Sequence, residues 1–157
     1  MKTQLLIPAA GAGRRMDLET PKALLELGGI PLLARTLERF RPLSLLEEAV
    51  ITAPAAHITT FEAVLKHYFA GLSFHIVPGG AERQESVRKG LAALDAHTEI
   101  VVIHDAARPF IPAASIQASI EAARQCGAAT VAIPVIDTIL QGDEEAYERT
   151  SERFNQR

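Results

Sequence analysis

A mostly parallel, Rossmann-like α/β sheet with helices on both faces is the fold this sequence predicts, and three observations carry it. Short β-rich apolar runs alternate with longer segments of helical period. Each run is nearly continuous in apolar residues, as strands covered on both sides are. Glycine-rich or charged stretches follow the first, third and fourth runs, where an open α/β sheet presents its carboxyl edge to ligands.

The first strand is expected over residues 4–8, since its apolar run is too short for a signal peptide and is followed by Gly11, Gly13, Arg14 and Arg15 rather than a cleavage region. Pro31 then opens a helix with Leu33, Leu37 and Phe40 on one stripe, and a second strand is expected over 49–53. Phe61, Val64, Leu65 and Tyr68 mark the next helix, before a third strand over 73–77. Val87, Leu91 and Leu94 mark the third helix, whose stripe is read as core, and a fourth strand follows over 100–104. Ile116, Ile120 and Ala123 mark a fourth helix opening near Pro112 and closing at Gly127, and a fifth strand is expected over 130–134.

The 157 residues fit one domain, here 1–137. Residues 138–157 form a polar extension with too few apolar side chains to bury itself: either a solvated end or an arm that orders against another chain. A net charge of −3 gives no general basic field for nucleic acid, so any phosphate must meet a local site. The longest later apolar stretch is too short to span a membrane, and the lone Cys126 excludes an internal disulfide framework. A soluble, cytoplasmic protein is expected.

Three stretches carry chemistry. In Pro8-Ala-Ala-Gly-Ala-Gly-Arg-Arg-Met16, small residues let backbone N–H groups approach a ligand, and Arg14, Arg15 and Lys22 add the cations a triphosphate needs. It is neither a P-loop nor a dinucleotide fingerprint, and a tight structural turn beside solvated cations is the plainer alternative. In the second, Gly79 and Gly80 allow a turn whose open N–H and C=O groups can read a base edge. Arg83 and Ser86, three apart in a helix starting near Ala81, share a face; otherwise Arg83 pairs with Glu82 or Glu85 and Ser86 is a local cap. In the third, His104-Asp-Ala-Ala-Arg-Pro-Phe110, Asp105 suits a sugar hydroxyl and Arg108 a phosphate, or the two pair with each other. His104 is expected to support the loop. The scattered histidines show no metal-ligand spacing, and no nucleophile has an adjacent base.

Together with Pro21-Lys22, Val87, Gly90-Leu91, Pro134 and Asp137-Thr138, these motifs resemble the 2-C-methyl-D-erythritol 4-phosphate cytidylyltransferases, of the nucleotidyltransferase fold type. The resemblance runs from Leu5 to about Thr138. The glycine-rich opening alone is shared across sugar nucleotidyltransferases; the His-Asp-Ala-Ala-Arg-Pro block and the Arg-x-x-Ser-Val segment narrow it. It implies transfer of a cytidylyl group from CTP to methylerythritol phosphate with release of pyrophosphate, for isoprenoid synthesis. It also implies Mg2+ held mainly through the CTP phosphates, and a homodimer. Carried over, Ala9, Ala10, Gly11, Gly13, Gly80 and Ser86 would hold the nucleotide, with Arg83 supporting the base pocket. Arg15 and Lys22 would act on the triphosphate as catalytic residues, while Asp105 and Arg108 would face the acceptor. Thr150 and Arg153 resemble the Thr-x-x-Arg of the family's dimer arm, with Arg153 reaching the acceptor.

The family's later Thr-Pro-Gln stretch, further Thr and late Lys have no counterpart here, so CTP binding is better supported than turnover. Two alternatives stand beside this expectation: a cytidylyltransferase for ribitol 5-phosphate, against which Ser86-Val87 with Gly90-Leu91 argues, and a CTP-binding module that lacks catalysis.

Overall fold

The computed structural model describes residues 2–11 and 20–134, together with the backbone of two short strands, Gln141–Gly142 and Tyr147–Glu148. Four strands form one parallel sheet: β1 (Lys2–Pro8), β2 (Ala49–Ala53), β3 (Phe74–Pro78) and β4 (Thr98–Ile103), in the order β3-β2-β1-β4. The register sets Leu6 beside Val50 and Ile103, and Ile51 beside Ile76. Four helices connect or follow these strands: α1 (Leu32–Glu38), α2 (Ile58–Tyr68), α3 (Arg83–Ala92) and α4 (Ala113–Cys126). The two short strands, β5 and β6, pair antiparallel with each other.

Alternate residues of a strand face opposite sides, and both sides of the central strands are apolar. Leu5, Ile7, Ala49, Ile51 and Ala53 share a core with Leu33 and Leu37 of α1, Phe61 and Leu65 of α2, and Ile116 and Ile120 of α4. The other face meets α3, which lies so close that a Cβ on Gly90 would come within 2.3 Å of Leu6 Cδ1 and 3.1 Å of Thr52 Cγ2. Helices therefore cover both faces. Pro31 precedes α1, Pro112 precedes α4, and Gly127 ends α4 in the left-handed region at φ 84°, each where its backbone chemistry suits it.

Two expectations need correction. Residues 130–134 do not form a strand: Val131 and Ile133 are 52% and 85% exposed, and the outer edge of β4 has no neighbour among the described residues. An apolar run becomes a strand only where another backbone takes its hydrogen bonds, and composition does not supply one. In α3 the buried positions are Ser86 and Gly90, whereas Leu91 is 43% exposed. Close packing there selects the small residues and turns the larger apolar one outward. Residues 12–19 and most of 135–157 lie outside the described residues, so the division at 137 does too.

At the amino edge of the sheet, Lys2 Nζ pairs with Asp95 at 2.8 Å and Glu48 at 2.7 Å, tying the start of β1 to the lead-ins of β2 and β4. Lys2, and then the His97 amide, hold the Asp95 carboxyl below the usual aspartate range, while Asp95, and then Glu48, raise Lys2. The stability from Asp95 is thus present above the ordinary carboxylate value and is lost as pH falls through the lowered one; that from Lys2 is lost only at strongly alkaline pH. Asp95→Asn should lower Tm at neutral pH, with the gap from the unsubstituted chain closing below about pH 4 in thermal melts. A gap independent of pH would remove the ion pair from the explanation. Gly90→Ala should be destabilising by about 1 kcal/mol, because overpacking outweighs the gain in helix propensity. A calorimetric Tm about 2–4 °C lower is expected, and an unchanged or raised Tm would show that α3 has room to move.

Candidate functional site

Parallel strands all end at the same edge, so the turns after β1, β3 and β4 meet there without any long-range design in the loops themselves. They enclose a pocket of about 590 Å3. Of the residues that sequence reasoning singled out, Ala9, Ala10, Gly11, Lys22, Gly80, Arg83, Ser86, Asp105 and Arg108 all line it. Gly13, Arg15 and Arg153 lie outside the described residues.

The first turn leaves β1 with the Ala9 amide still bonded to the Thr52 carbonyl, 2.9 Å. Ala9 and Ala10 are buried, whereas a Cβ built on Gly11 would meet nothing within 4 Å among the described residues. Among those residues no packing contact calls for a glycine at 11, and Gly11 lines the pocket. Lys22 opens the one-turn 3-10 helix Lys22–Leu24, held by the Leu24 amide on the Pro21 carbonyl at 2.8 Å. The buried Ala23 anchors this turn and leaves the Lys22 side chain exposed at the pocket.

The turn after β3 is pressed against the first: a Cβ on Gly79 would come within 2.1 Å of Ala10 Cβ. Its amides are not open, contrary to expectation. Gly79 N–H donates to Ala53 O at 2.9 Å, Gly80 N–H to Ser86 Oγ at 3.0 Å and Ala81 N–H to Glu85 Oε2 at 2.9 Å. The half-buried glycines and the exposed Ala81 thus have their donors taken, by β2 at Gly79 and by α3 at Gly80 and Ala81. Ser86 is 3% exposed and donates to Glu82 O at 3.0 Å, so its hydroxyl holds the turn rather than standing free in the pocket.

The turn after β4 is fixed from α1. Buried Thr36 donates from Oγ1 to Ala106 O at 2.8 Å, and Arg39 Nε donates to Pro109 O at 2.8 Å. His104 lies 3.0 Å through Nε2 from Arg108 O, with its ring edge-on to Phe40 at 5.3 Å, which is the loop-supporting role. Asp105 is the hub. Its Oδ1 accepts from Arg83 Nη2 at 2.9 Å and its Oδ2 pairs with Arg108 Nε at 2.9 Å. Arg83 therefore reaches across to the β4 turn instead of pairing with Glu82 or Glu85. Both guanidiniums are largely exposed, so these pairs are weak and an incoming anion can take either arginine from the carboxylate.

Lys22, Arg83 and Arg108 line this pocket together with the carboxylates Asp105 and Glu82, and the three cations can neutralise phosphate charge once a ligand displaces Asp105. Among the described residues no group of three or more His, Cys, Asp or Glu could hold a metal, and both Asp105 oxygens are engaged by arginines. Among these residues, a divalent cation would have to bring most of its ligands with it. No helix among the described residues is long and apolar enough to cross a membrane. A larger groove of about 860 Å3 runs along the open edge of β4, but the glycine turns and Lys22 are not in it. Sequence reasoning missed Thr36, Arg39, Glu85 and Lys89; only the Glu85/Lys89 spacing of four offered a local signal.

The family model described as 2-C-methyl-D-erythritol 4-phosphate cytidylyltransferase matches residues 3–156. A relative of that name from Syntrophotalea carbinolica is 41% identical over 155 residues, covering 98% of this chain and 66% of the relative. Another from Salinibacter ruber is 39% identical over 149 residues, covering 95% and 62%. The crystal structure of 2-C-methyl-D-erythritol 4-phosphate cytidylyltransferase from Thermus thermophilus superposes with a TM-score of 0.72 at 36% identity, over 95% of this chain and 63% of that one. A 4-diphosphocytidyl-2C-methyl-D-erythritol synthase from Anaerococcus prevotii, 24% identical, gives 0.76 over 96% and 64% and speaks for the fold alone. The chain thus spans 62 to 66% of the length of these two curated relatives. On the match of the family model along nearly its whole length, the chain belongs to the 2-C-methyl-D-erythritol 4-phosphate cytidylyltransferase family.

Proposed function

We propose that the pocket at the carboxyl edge binds CTP with Mg2+ and serves cytidylyl transfer to methylerythritol phosphate. The observation that carries this reading is the convergence of Lys22, Arg83, Asp105 and Arg108 with the two glycine turns around one pocket. In the reaction, a phosphate oxygen of the acceptor attacks the α-phosphorus of CTP, and the bond from that phosphorus to the bridging oxygen breaks as pyrophosphate leaves. The nucleophile is already ionised, so the demand on the protein is charge neutralisation and alignment more than a base. Lys22 would meet the charge that grows at the α-phosphate, a role Arg15 would share. The Gly79–Gly80 turn, held by Ser86, would bear the base. Arg108 would exchange Asp105 for the acceptor phosphate, which frees a carboxylate oxygen for a hydroxyl of the acceptor. Mg2+, carried by the triphosphate, would supply further neutralisation. On the same reading the chain works as a homodimer with Arg153 in a crossing arm, supported by the Thr150-x-x-Arg153 spacing.

A second reading is CTP binding without turnover. Calorimetry with CTP and Mg2+, followed by pyrophosphate release on adding methylerythritol phosphate, separates the two. Heat and pyrophosphate support transfer, heat alone supports the binding module, and neither removes both. Where turnover is present, Lys22→Ala should lower it about 100- to 1000-fold, the usual effect of deleting one preorganised donor to a transition-state charge. Survival of activity within a few-fold would take Lys22 out of that role. Arg108→Ala should weaken acceptor binding by about 1.5 kcal/mol, the lower end for a charged hydrogen bond at an exposed site, and leave CTP affinity nearly unchanged in parallel titrations. Equal losses for both ligands would make Arg108 a structural partner of Asp105.

A further inference from the structure

The Gly79–Ala81 turn is intrinsically loose, because two adjacent glycines lose much conformational freedom when fixed. A turn that bears a ligand binds more tightly if that freedom is already gone. Three side chains from the first two turns of α3 hold it. Ser86 takes the Gly80 amide. Glu85 Oε2 accepts from the Ala81 amide at 2.9 Å, and its carboxylate lies over Gly80, where a Cβ would come within 2.3 Å of Glu85 Cδ. Lys89 Nζ donates to the Gly79 carbonyl at 3.0 Å and pairs with Glu85 Oε1 at 3.1 Å.

We propose that Lys89 and Glu85 are positioning residues that brace this turn from behind and thereby set the affinity of the nucleotide pocket, an inference that rests on the reading of that pocket given above. Neither side chain lines the pocket, whereas Gly80 and Ala81 do. An exposed Glu–Lys pair four apart on a helix is ordinarily worth little. This one differs because Glu85 gives Oε1 to Lys89 and Oε2 to the turn, while the single Lys89 Nζ donates both to Glu85 and to the turn, so the pair closes a loop from Gly79 O through Lys89 and Glu85 to Ala81 N. Lys89, and after it the Ala81 amide, hold the Glu85 carboxyl below the usual glutamate range.

The test uses the whole chain with Lys89→Met, Lys89→Arg and Glu85→Gln. Hydrogen exchange of the Gly80 and Ala81 amides is followed without ligand, and CTP affinity with Mg2+ by calorimetry. Lys89→Met should quicken exchange at Ala81 several-fold and weaken CTP roughly five- to tenfold, the size expected of a charge-assisted hydrogen bond partly open to water. Lys89→Arg, which can still donate to Gly79 O and to Glu85, should recover most of both, with Tm nearly constant across the series. Glu85→Gln, which keeps an acceptor for Ala81 but loses the charge, should fall between. Exchange unchanged in Lys89→Met overturns the brace whatever CTP does. Faster exchange with CTP affinity unchanged overturns its link to the pocket. If the unsubstituted chain gives no heat with CTP, the nucleotide reading fails, and this proposal fails with it.

Discussion

The close approach of α3 to β1 and β2 is the constraint on which the rest of this molecule depends. A glycine at 90 lets the helix settle onto Leu6 and Thr52, and a glycine at 79 lets the turn before it press against Ala10. Together they bring the turn after β3 into contact with the turn after β1, although 69 residues separate Gly79 from Ala10. The site is thus a by-product of packing: small residues remove the spacing that side chains would impose, and the parallel sheet sees to it that the turns end at one edge. The same packing leaves Ser86 buried under the turn, where its hydroxyl finds partners in Gly80 and Glu82.

The second tie is electrostatic. Asp105, at the end of β4, accepts from Arg83 of α3 and from Arg108 of its own turn. One carboxylate shared by two guanidiniums links the turn that would bear a base to the turn that would meet an acceptor. Because both arginines are largely exposed, the link is held loosely enough for an anionic ligand to compete. The turn itself is rigid for a different reason. Thr36 and Arg39 reach from α1 to its carbonyls, and the buried Thr36 bond resists opening far more than the surface ion pairs do.

Much of this was legible in the residues. Four of five strands, all four helices and the proline and glycine punctuation of α1 and α4 follow from local chemistry. Nine of the residues nominated at three strand ends meet in one pocket, because parallel topology settles that meeting without any detail of the loops. What escaped depended on partners distant in sequence. The run at 130–134 has the composition of a strand but no neighbour among the described residues, and Leu91 has the period of a core residue on a helix too close to the sheet to bury it. The amides after β3 looked open because glycines suggest openness, yet Ser86 and Glu85 occupy them. Thr36 and Arg39 carry no local mark of a loop 70 residues away.

Two of the concavities share Arg83, Asp105 and Arg108, the pocket at the carboxyl edge and the larger groove beside β4. Chemistry, not size, distinguishes them, since only the first combines Lys22 with the glycine turns. Amide chemical-shift mapping of the chain titrated with CTP and Mg2+ tests that distinction most directly. Shifts that saturate together at Gly11, Lys22, Gly80 and Ala81 are the result expected. Shifts concentrated at Val101, Ile103 and Val131, or none at all on folded protein, would contradict it.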